Sequence, residues 1–331
     1  MNPFRRCLLA TSAAAVLLVP SIAFAQTDDA ASYPRKPIRF IVPLSAGGIA
    51  DVMSRMVAND LNTQWGQPVI VENRPGAGTA LGMAVVATAA PDGYTIGMGN
   101  IAANAIVPAM RPDSVPYHPT RDFTPISLVG VTPSLLVVNT DKISATTIPE
   151  LIAYLKKNPG KVPYGSSGVG TSLHLGMELF MLKTGTTMVH VPYKGSAPMM
   201  TDLLSGEIHM ALDALSTSGA HIKSGKLRAL GVTTAQRAFF APDVPAIAEF
   251  VPGYEMKAWH GVMGPAGMPG AIVAKLSTQI QSFLKRPDIE AQLKERGVIR
   301  VGSSPAEFRT LMNDEHALFQ NVIKQTGVKA E

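Results

Sequence analysis

Cysteine is nearly absent. The single one, Cys7, precedes the first apolar run, so a chain that loses that run keeps no disulfide, no thiolate nucleophile and no cysteine metal site. No long apolar segment occurs after residue 25, so the remainder offers no candidate membrane span. Charged residues are only 16%, and no Lys/Arg stripe with interleaved aromatics occurs, which argues against nucleic acid as a partner. The seven histidines show neither HxxxH nor HExxH spacing, which argues against a metal centre. A GxSxG elbow is missing, and with it the signal for a hydrolase of that kind. Internal repeats, heptads and low-complexity tracts are missing too.

What is present begins with an export signal. Arg5 and Arg6 form a positive start, residues 7–19 an apolar stretch, and Ala23-Phe24-Ala25 a small-x-small site after Pro20. Cleavage is expected after Ala25, leaving residues 26–331 in the periplasm. The formal charge of +5 then falls to +3, because Arg5 and Arg6 leave. A mild positive charge favours small anionic ligands. At 46% hydrophobic residues the chain is a compact globular protein, and its length suggests two domains.

Hydrophobic patterning alternates strand and helix. An apolar strand, Ile38–Val42, runs into Pro43 and the loop Ser45-Ala46-Gly47-Gly48. Met53, Met56, Val57 and Leu61 then share one helical face. Further strands are expected at 69–72, 95–99, 123–129, 135–139, 162–165, 188–191, 209–212 and 227–233. Between them helices are expected at 79–89, 171–184 and 196–204, and a loop over 108–119. Thr147-Ile148-Pro149-Glu150 and Ser304-Pro305-Ala306-Glu307 read as capping boxes. This alternation predicts an α/β fold with mostly parallel sheets. The numerous methionines fall on helical faces and read as core filling.

Four turns carry the candidate chemistry. The first is residues 45–48, where two glycines let the backbone approach a ligand and a helix N-terminus favours an anion. The second, Ser166-Ser167-Gly168-Val169-Gly170-Thr171, combines hydroxyls, glycines and backbone N–H groups ahead of a helix that carries His174. Simple N-capping by Ser167 or Thr171 needs only one hydroxyl, and several hydroxyls with three glycines (Gly165 included) favour a ligand loop; a neutral, satisfied histidine is the plainer reading of His174. The third is Tyr193-Lys194-Gly195-Ser196, and the fourth places Asp213 at the end of an apolar strand, where open α/β sheets bind ligands. Capping of the next helix is the alternative for Asp213. Gly76-Ala77-Gly78 has the wrong spacing for a dinucleotide fingerprint and reads as a tight turn.

The ordered series of motifs resembles a known family. Its members are the Bug extracytoplasmic solute receptors, the substrate-binding components of tripartite tricarboxylate transporters. The matching stretches are VPLSAGGIADVMSR, VENRPGAGTALG, APDGYTIGMGN, DFTPISLVG, YGSSGVGTSLHL, VPYKGSAPMMTDLLSGEI, KLRALGVTT and GPAGMP. They span essentially the whole chain after the leader.

The resemblance implies a two-lobed periplasmic-binding-protein type II (Venus flytrap) fold, each lobe a mostly parallel sheet flanked by helices. Lobe one would be 33–131 with 257–331, and lobe two 132–256. It implies a non-enzymatic receptor that captures a small carboxylate between the lobes, without a cofactor or metal. It would act as a monomer and be met transiently by the membrane permease subunits of the transporter. Ligand contacts would come from Ser45, Ala46, Gly47, Gly48 and Asp51 on lobe one. On lobe two they would come from Ser166, Ser167, Gly168, Gly170, Thr171, His174, Tyr193, Gly195 and Asp213. Ile49 and Ala50 stand where the family commonly has proline and a hydroxyl residue. Two rivals are an exported α/β hydrolase using Ser167, His174 and Asp213, and a ligand sensor feeding a signalling system.

Overall fold

The computed structural model describes residues 31–328. The expected leader and its cleavage point lie outside those residues. In order, β1 (Ile38–Val42), α1 (Ile49–Trp65), β2 (Val69–Asn73), α2 (Ala80–Ala87) and β3 (Thr95–Asn100) open the chain. A π-helical turn, Ala102–Ile106, then runs into α3 (Val107–Met110), and β4 (Phe123–Thr132) follows. Next come β5 (Leu135–Asn139), α4 (Ile148–Lys157), β6 (Pro163–Ser166), α5 (Ser172–Thr184) and β7 (Val189–Pro192). They lead to α6 (Ser196–Ser205), β8 (Met210–Asp213), α7 (Leu215–Lys223) and β9 (Leu227–Val232). The chain closes with β10 (Ala258–Pro265), α8 (Gly270–Leu284), α9 (Pro287–Glu295), β11 (Ile299–Arg300) and α10 (Pro305–Thr326).

These strands form two sheets, ordered β11-β4-β10-β3-β1-β2 and β7-β6-β8-β5-β9. Both are mixed, where mostly parallel sheets were expected. The exceptions follow from the crossings. β4 leaves the first sheet at its carboxyl edge, turns through Pro133 and enters the second sheet as β5, antiparallel to both β8 and β9. β10 returns antiparallel to β3 and β4. A strand that crosses between two sheets facing each other by their carboxyl edges must enter the second one backwards. The reversed β5 and β10 therefore mark a two-lobed fold whose strand ends face a common cleft.

Packing follows the hydrophobic spacing. On α1, Met53, Val57 and Leu61 are buried and Met56 half-buried. Methionines 53, 83, 98, 177, 199, 210, 263 and 312 are all at most 1% exposed, so core filling accounts for them. One cluster runs from Trp259 and Phe308, whose rings meet edge-on at 5.4 Å, to Leu175, Phe180 and Tyr254. It joins the lobes along one side through α10 and α5.

Two local expectations change. Residues 108–119 were expected as loop, yet α3 opens that stretch. Pro108 sits in the first turn of α3, where its missing N–H costs nothing. Asn100 Oδ1 accepts from Ala103 N–H (2.9 Å), and Asn104 Nδ2 donates to Pro119 O (3.2 Å), tying the segment at both ends. At α4 only half of the capping box forms. Thr147 caps Glu150 N–H, while the Glu150 carboxylate takes the N–H and hydroxyl of Thr146 instead. The box at α10 is complete, with Ser304 and Glu307 bonded reciprocally.

Candidate functional site

The lobe-one loop is built on Asp51. Gly47, at φ +84°, donates its N–H to Asp51 Oδ2 (2.9 Å), a backbone conformation that favours glycine. Arg55 Nε donates to the same oxygen (3.0 Å), and Asn73 Nδ2 donates to Asp51 Oδ1 and to Leu44 O, each at 3.0 Å. Burial alone would raise the Asp51 carboxyl. The bonds from Arg55, Gly47 and Asn73 outweigh it and hold the group below its ordinary range. Asp51 is thus 3% exposed and spent on shaping the loop. Gly82 of α2 seats the same loop from beneath, because a Cβ there would lie 2.7 Å from the Pro43 Cα. Ser45, Ala46, Gly47 and Gly48 remain exposed at the head of α1, whose N-cap, Gly48, brings no side-chain bond. Ala50 is buried, and Ile49 packs half-buried on the lobe-one core.

The lobe-two loop is a closed hydrogen-bonded unit. Ser166 Oγ bonds Gly168 O (3.1 Å) and Gly168 N–H (3.2 Å), and Thr171 Oγ1 donates to Gly168 O (2.8 Å). Gly168 and Gly170 hold φ +133° and +78°. Thr171 caps α5 by accepting from His174 N–H (3.3 Å). Gly170 N–H donates to His174 Nδ1 (3.2 Å), which puts the ring proton on Nε2, 3.7 Å from Glu178 Oε1. His174 stacks on His190, centroids 3.9 Å apart and planes 10° apart. His190 Nε2 lies 2.7 Å from Ser166 Oγ. Burial, and for His174 the neighbouring His190, push these imidazoles down to about 3 and about 4, so both are neutral at pH 7.

Beside this unit, Tyr193 N–H donates to Ser166 O (3.0 Å), and the Tyr193 hydroxyl donates to Asp202 Oδ2 (2.7 Å). Burial and that carboxylate raise the phenol to about 12. Gly195, at φ +113°, heads α6 with open space where a side chain would be. Asp213 ends β8, fully buried. Its Oδ2 accepts from the Thr217 hydroxyl, while Oδ1 has no partner. Ser196 approaches the carboxylate without reaching hydrogen-bond geometry. Burial raises the group above its ordinary range, against the lowering from Thr217 and the Ala214 backbone.

Asp213 has counterparts in the first sheet. Asn100 Nδ2 at the end of β3 and Thr132 Oγ1 at the end of β4 are also buried without partners, as are Trp259 Nε1 and His260 Nδ1 on β10 between them. Each such group costs roughly 1–3 kcal/mol. Leu135, paired with Asp213 in the second sheet, stands three residues after Thr132, so the two sets border the same crossing.

The structure therefore brings Ser166, Gly168, Gly170, Thr171, His174 and Tyr193 into one bonded unit. Gly195 follows β7 and Asp213 ends β8, the strands on either side of β6, and residues 45–48 lie at the corresponding edge of the other sheet. Among the described residues no hydrogen bond joins the two jaws. Met110 of α3 approaches the lobe-two loop, its Sδ 3.0 Å from where a Cβ at Gly170 would stand. Several expected contact residues face inward instead. Asp51, Ser166 and His174 are 3%, 0% and 3% exposed and hold the loops, and for His174 this matches the reading as a neutral, satisfied histidine. Ser167 is half-buried and makes no hydrogen bond. A Ser167–His174–Asp213 triad does not form, because Gly170 N–H occupies His174 Nδ1 and Nε2 faces Glu178. His190, Asn100 and Thr132 escaped the sequence reading. Asn100 and Thr132 carry the one available signal, a polar residue ending an apolar strand.

Among the described residues no group of three or more His, Cys, Asp or Glu could hold a metal ion, and no helix is long and apolar enough to cross a membrane. A groove of about 770 Å³ crosses the far side of the hinge between Val131, Lys257, Arg237 and Val301, away from the glycine loops.

Comparison with known proteins agrees with this geometry. A family model described as the tripartite tricarboxylate transporter family receptor matches residues 53–328. BugT of Bordetella pertussis is 35% identical over 314 residues, 95% of this chain and 96% of its own. The solved structure of R. palustris Rpa4515 with adipate is 34% identical, with a TM-score of 0.74 over 90% of this chain and 99% of that one. MatC from Rhodopseudomonas palustris with bound malate is 27% identical, with a TM-score of 0.71 over 88% of this chain and 100% of that one.

Proposed function

The chain belongs to the tripartite tricarboxylate transporter receptor family, and from that membership we propose that it captures a small organic acid between its two lobes in the periplasm. The lobes are residues 33–131 with 257–331, and 132–256. The leader is removed after Ala25, and the closed form is handed to membrane permease subunits. One observation carries the reading. Buried polar atoms without partners line the carboxyl ends of strands from both sheets: Asn100 Nδ2 and Thr132 Oγ1 on one side, Asp213 Oδ1 on the other. A fold tolerates such groups where a polar ligand meets them. Around them stand uncapped helix N-termini at Gly48 and Gly195, which favour a carboxylate. Adipate and malate in the related structures support the ligand class.

The mechanism is hinge closure about the two crossings. The backbone N–H groups of Gly47, Gly168 and Gly170 are bonded within their loops, so Ser45, Ala46, Gly48, Ser167 and Val169 offer theirs to the anion, and desolvation on closure strengthens each bond. No proton or covalent transfer is involved. The test is calorimetric titration with malate, adipate and citrate, and with glucose as the neutral control. Binding of at least one acid, and none of glucose, is expected. Gly47→Val should weaken that binding about tenfold, since a non-glycine residue at φ +84° costs roughly 1–2 kcal/mol. It should still fold, because a Cβ there meets nothing within 4 Å. A wild-type protein that takes up none of the acids overturns the reading.

A further inference from the structure

Beneath the 166–171 loop lies a stack of three rings. Tyr164 from β6 lies on His190 from β7 (centroids 4.9 Å, planes 24°), and His190 lies on His174 from α5 (3.9 Å, 10°). Glu178 brackets the stack. Its Oε1 accepts from the Tyr164 hydroxyl at 2.6 Å and faces His174 Nε2 at 3.7 Å. Tyr164, His174 and Glu178 are 0%, 3% and 8% exposed, and His190 is half-buried. Each imidazole holds one end of the loop. His190 Nε2 meets Ser166 Oγ at its start, and His174 Nδ1 accepts Gly170 N–H near its end.

The geometry requires His174 to be neutral and excludes two charged imidazoles, and burial favours the neutral form of His190 as well. Two cations with ring centroids 3.9 Å apart, away from water, would repel strongly. A proton on His174 Nδ1 would also remove the acceptor that Gly170 uses. The Ser166 hydroxyl has one hydrogen and two acceptors within reach, Gly168 O and His190 Nε2. The state of His190 thus decides which way that hydrogen points. Ordinary core packing does not ask for this. A Leu–Phe pair would fill the same space without fixing any backbone N–H.

We propose that His190 and His174 are positioning residues for ligand capture: a neutral, face-to-face imidazole pair, bonded to the loop at both ends, fixes the loop so that the remaining N–H groups, those of Ser167 and Val169, are directed to the cleft. The inference rests on the reading that this loop contacts the acid. It adds His190, which touches no ligand itself, to the residues on which affinity depends.

The test uses the full chain after the leader and two complementary variants. His190→Phe keeps a stacking ring and loses the Ser166 bond. His190→Gln keeps a polar partner for Ser166 and loses the stack. Amide hydrogen exchange is read at residues 167–170 without ligand. Affinity is read at 25 °C for whichever of malate, adipate and citrate binds wild type most tightly. His190→Phe should lose about fivefold in affinity, the worth of one neutral hydrogen bond, and His190→Gln about as much through the lost ring stacking, and exchange at 167–170 should rise at least as much in both. Imidazole ¹⁵N spectra of wild type should show His174 as the single Nε2–H tautomer from pH 5 to pH 8. A role confined to stability would lower the melting temperature and leave affinity and exchange unchanged. That result, or a His174 protonated on Nδ1, overturns the proposal. Should wild type bind none of the acids, the functional reading fails, and exchange with the tautomer still decides whether the pair sets the loop. If the phenylalanine variant does not fold, the glutamine variant and the wild-type spectrum decide.

Discussion

Asp213→Asn separates the needs of the fold from those of the site. Asp213 is fully buried, with one oxygen on Thr217 and the other without a partner. Its folded pKa is raised, so at neutral pH the charged form is worse off in the fold than in the unfolded chain. The sign follows. Between its unfolded pKa near 3.8 and its folded pKa, the native state holds the extra proton. Asp213 therefore costs the empty protein stability at pH 7 and costs less as the pH falls through the folded pKa. Asparagine keeps the shape and the Thr217 bond and removes the charge. It should raise the stability of the empty protein by roughly 1 kcal/mol, the scale of relieving one uncompensated buried group. It also replaces the charged acceptor that would take the hydroxyl hydrogen of a hydroxy acid such as malate, since a carboxylate cannot donate to the acid's own carboxylates. A charge-assisted bond is worth about 1.5–3 kcal/mol, so malate affinity should fall roughly 10- to 150-fold. Urea unfolding at pH 7 and calorimetry on the same preparation read the two effects. A variant that loses stability and keeps wild-type affinity would refute the argument, because Asp213 would then be part of the scaffold alone.

Two further outcomes follow from the structure. His260 is buried, and burial depresses its imidazole from 6.5 to about 4, so its contribution is fully present above pH 6.5 and is lost as the pH falls from there towards 4. Comparing pH 7 with pH 5, His260→Gln should therefore lose about 2 kcal/mol less stability than wild type, at 1.36 kcal/mol per unit. The difference between variant and wild type is the readout, because Glu315, raised to about 7 by burial, titrates the opposite way in that range; equal losses would show that His260 is not neutral inside. Ser304→Ala removes the N-cap of the 22-residue α10 and should cost about 1 kcal/mol in urea unfolding without changing acid affinity.

Much of the fold was legible because local signals agree with it. The strand preceding each glycine turn, the apolar face of α1 and the capping box at Ser304 are all properties of neighbours in sequence. The reversal of β5 and β10 is not, since it follows from where the chain crosses between two sheets. Residues 101–110 were obscured by Pro108, whose place in a first turn hides a helix from any rule that treats proline as a breaker. The site divides in the same way. Glycine loops at strand ends are visible from spacing, as at residues 45–48 and 166–171. Whether a polar side chain on them faces the ligand or the core depends on tertiary contacts. Asp51, Ser166 and His174, which the resemblance implies as contacts, are bonded into the loops that they support. His190 gives no signal, for its role comes from lying one ring away from His174, sixteen positions earlier in the chain.

A carboxylate proposed to fill the space between these supports can be sought without adding one, by mass spectrometry of what the denatured protein releases after purification in the absence of added acid. The expected release is a small molecule carrying at least one carboxylate, near one per chain, with less from Asp213→Asn. A released molecule without a carboxylate, or an empty protein that malate, adipate and citrate all fail to stabilise, would contradict it.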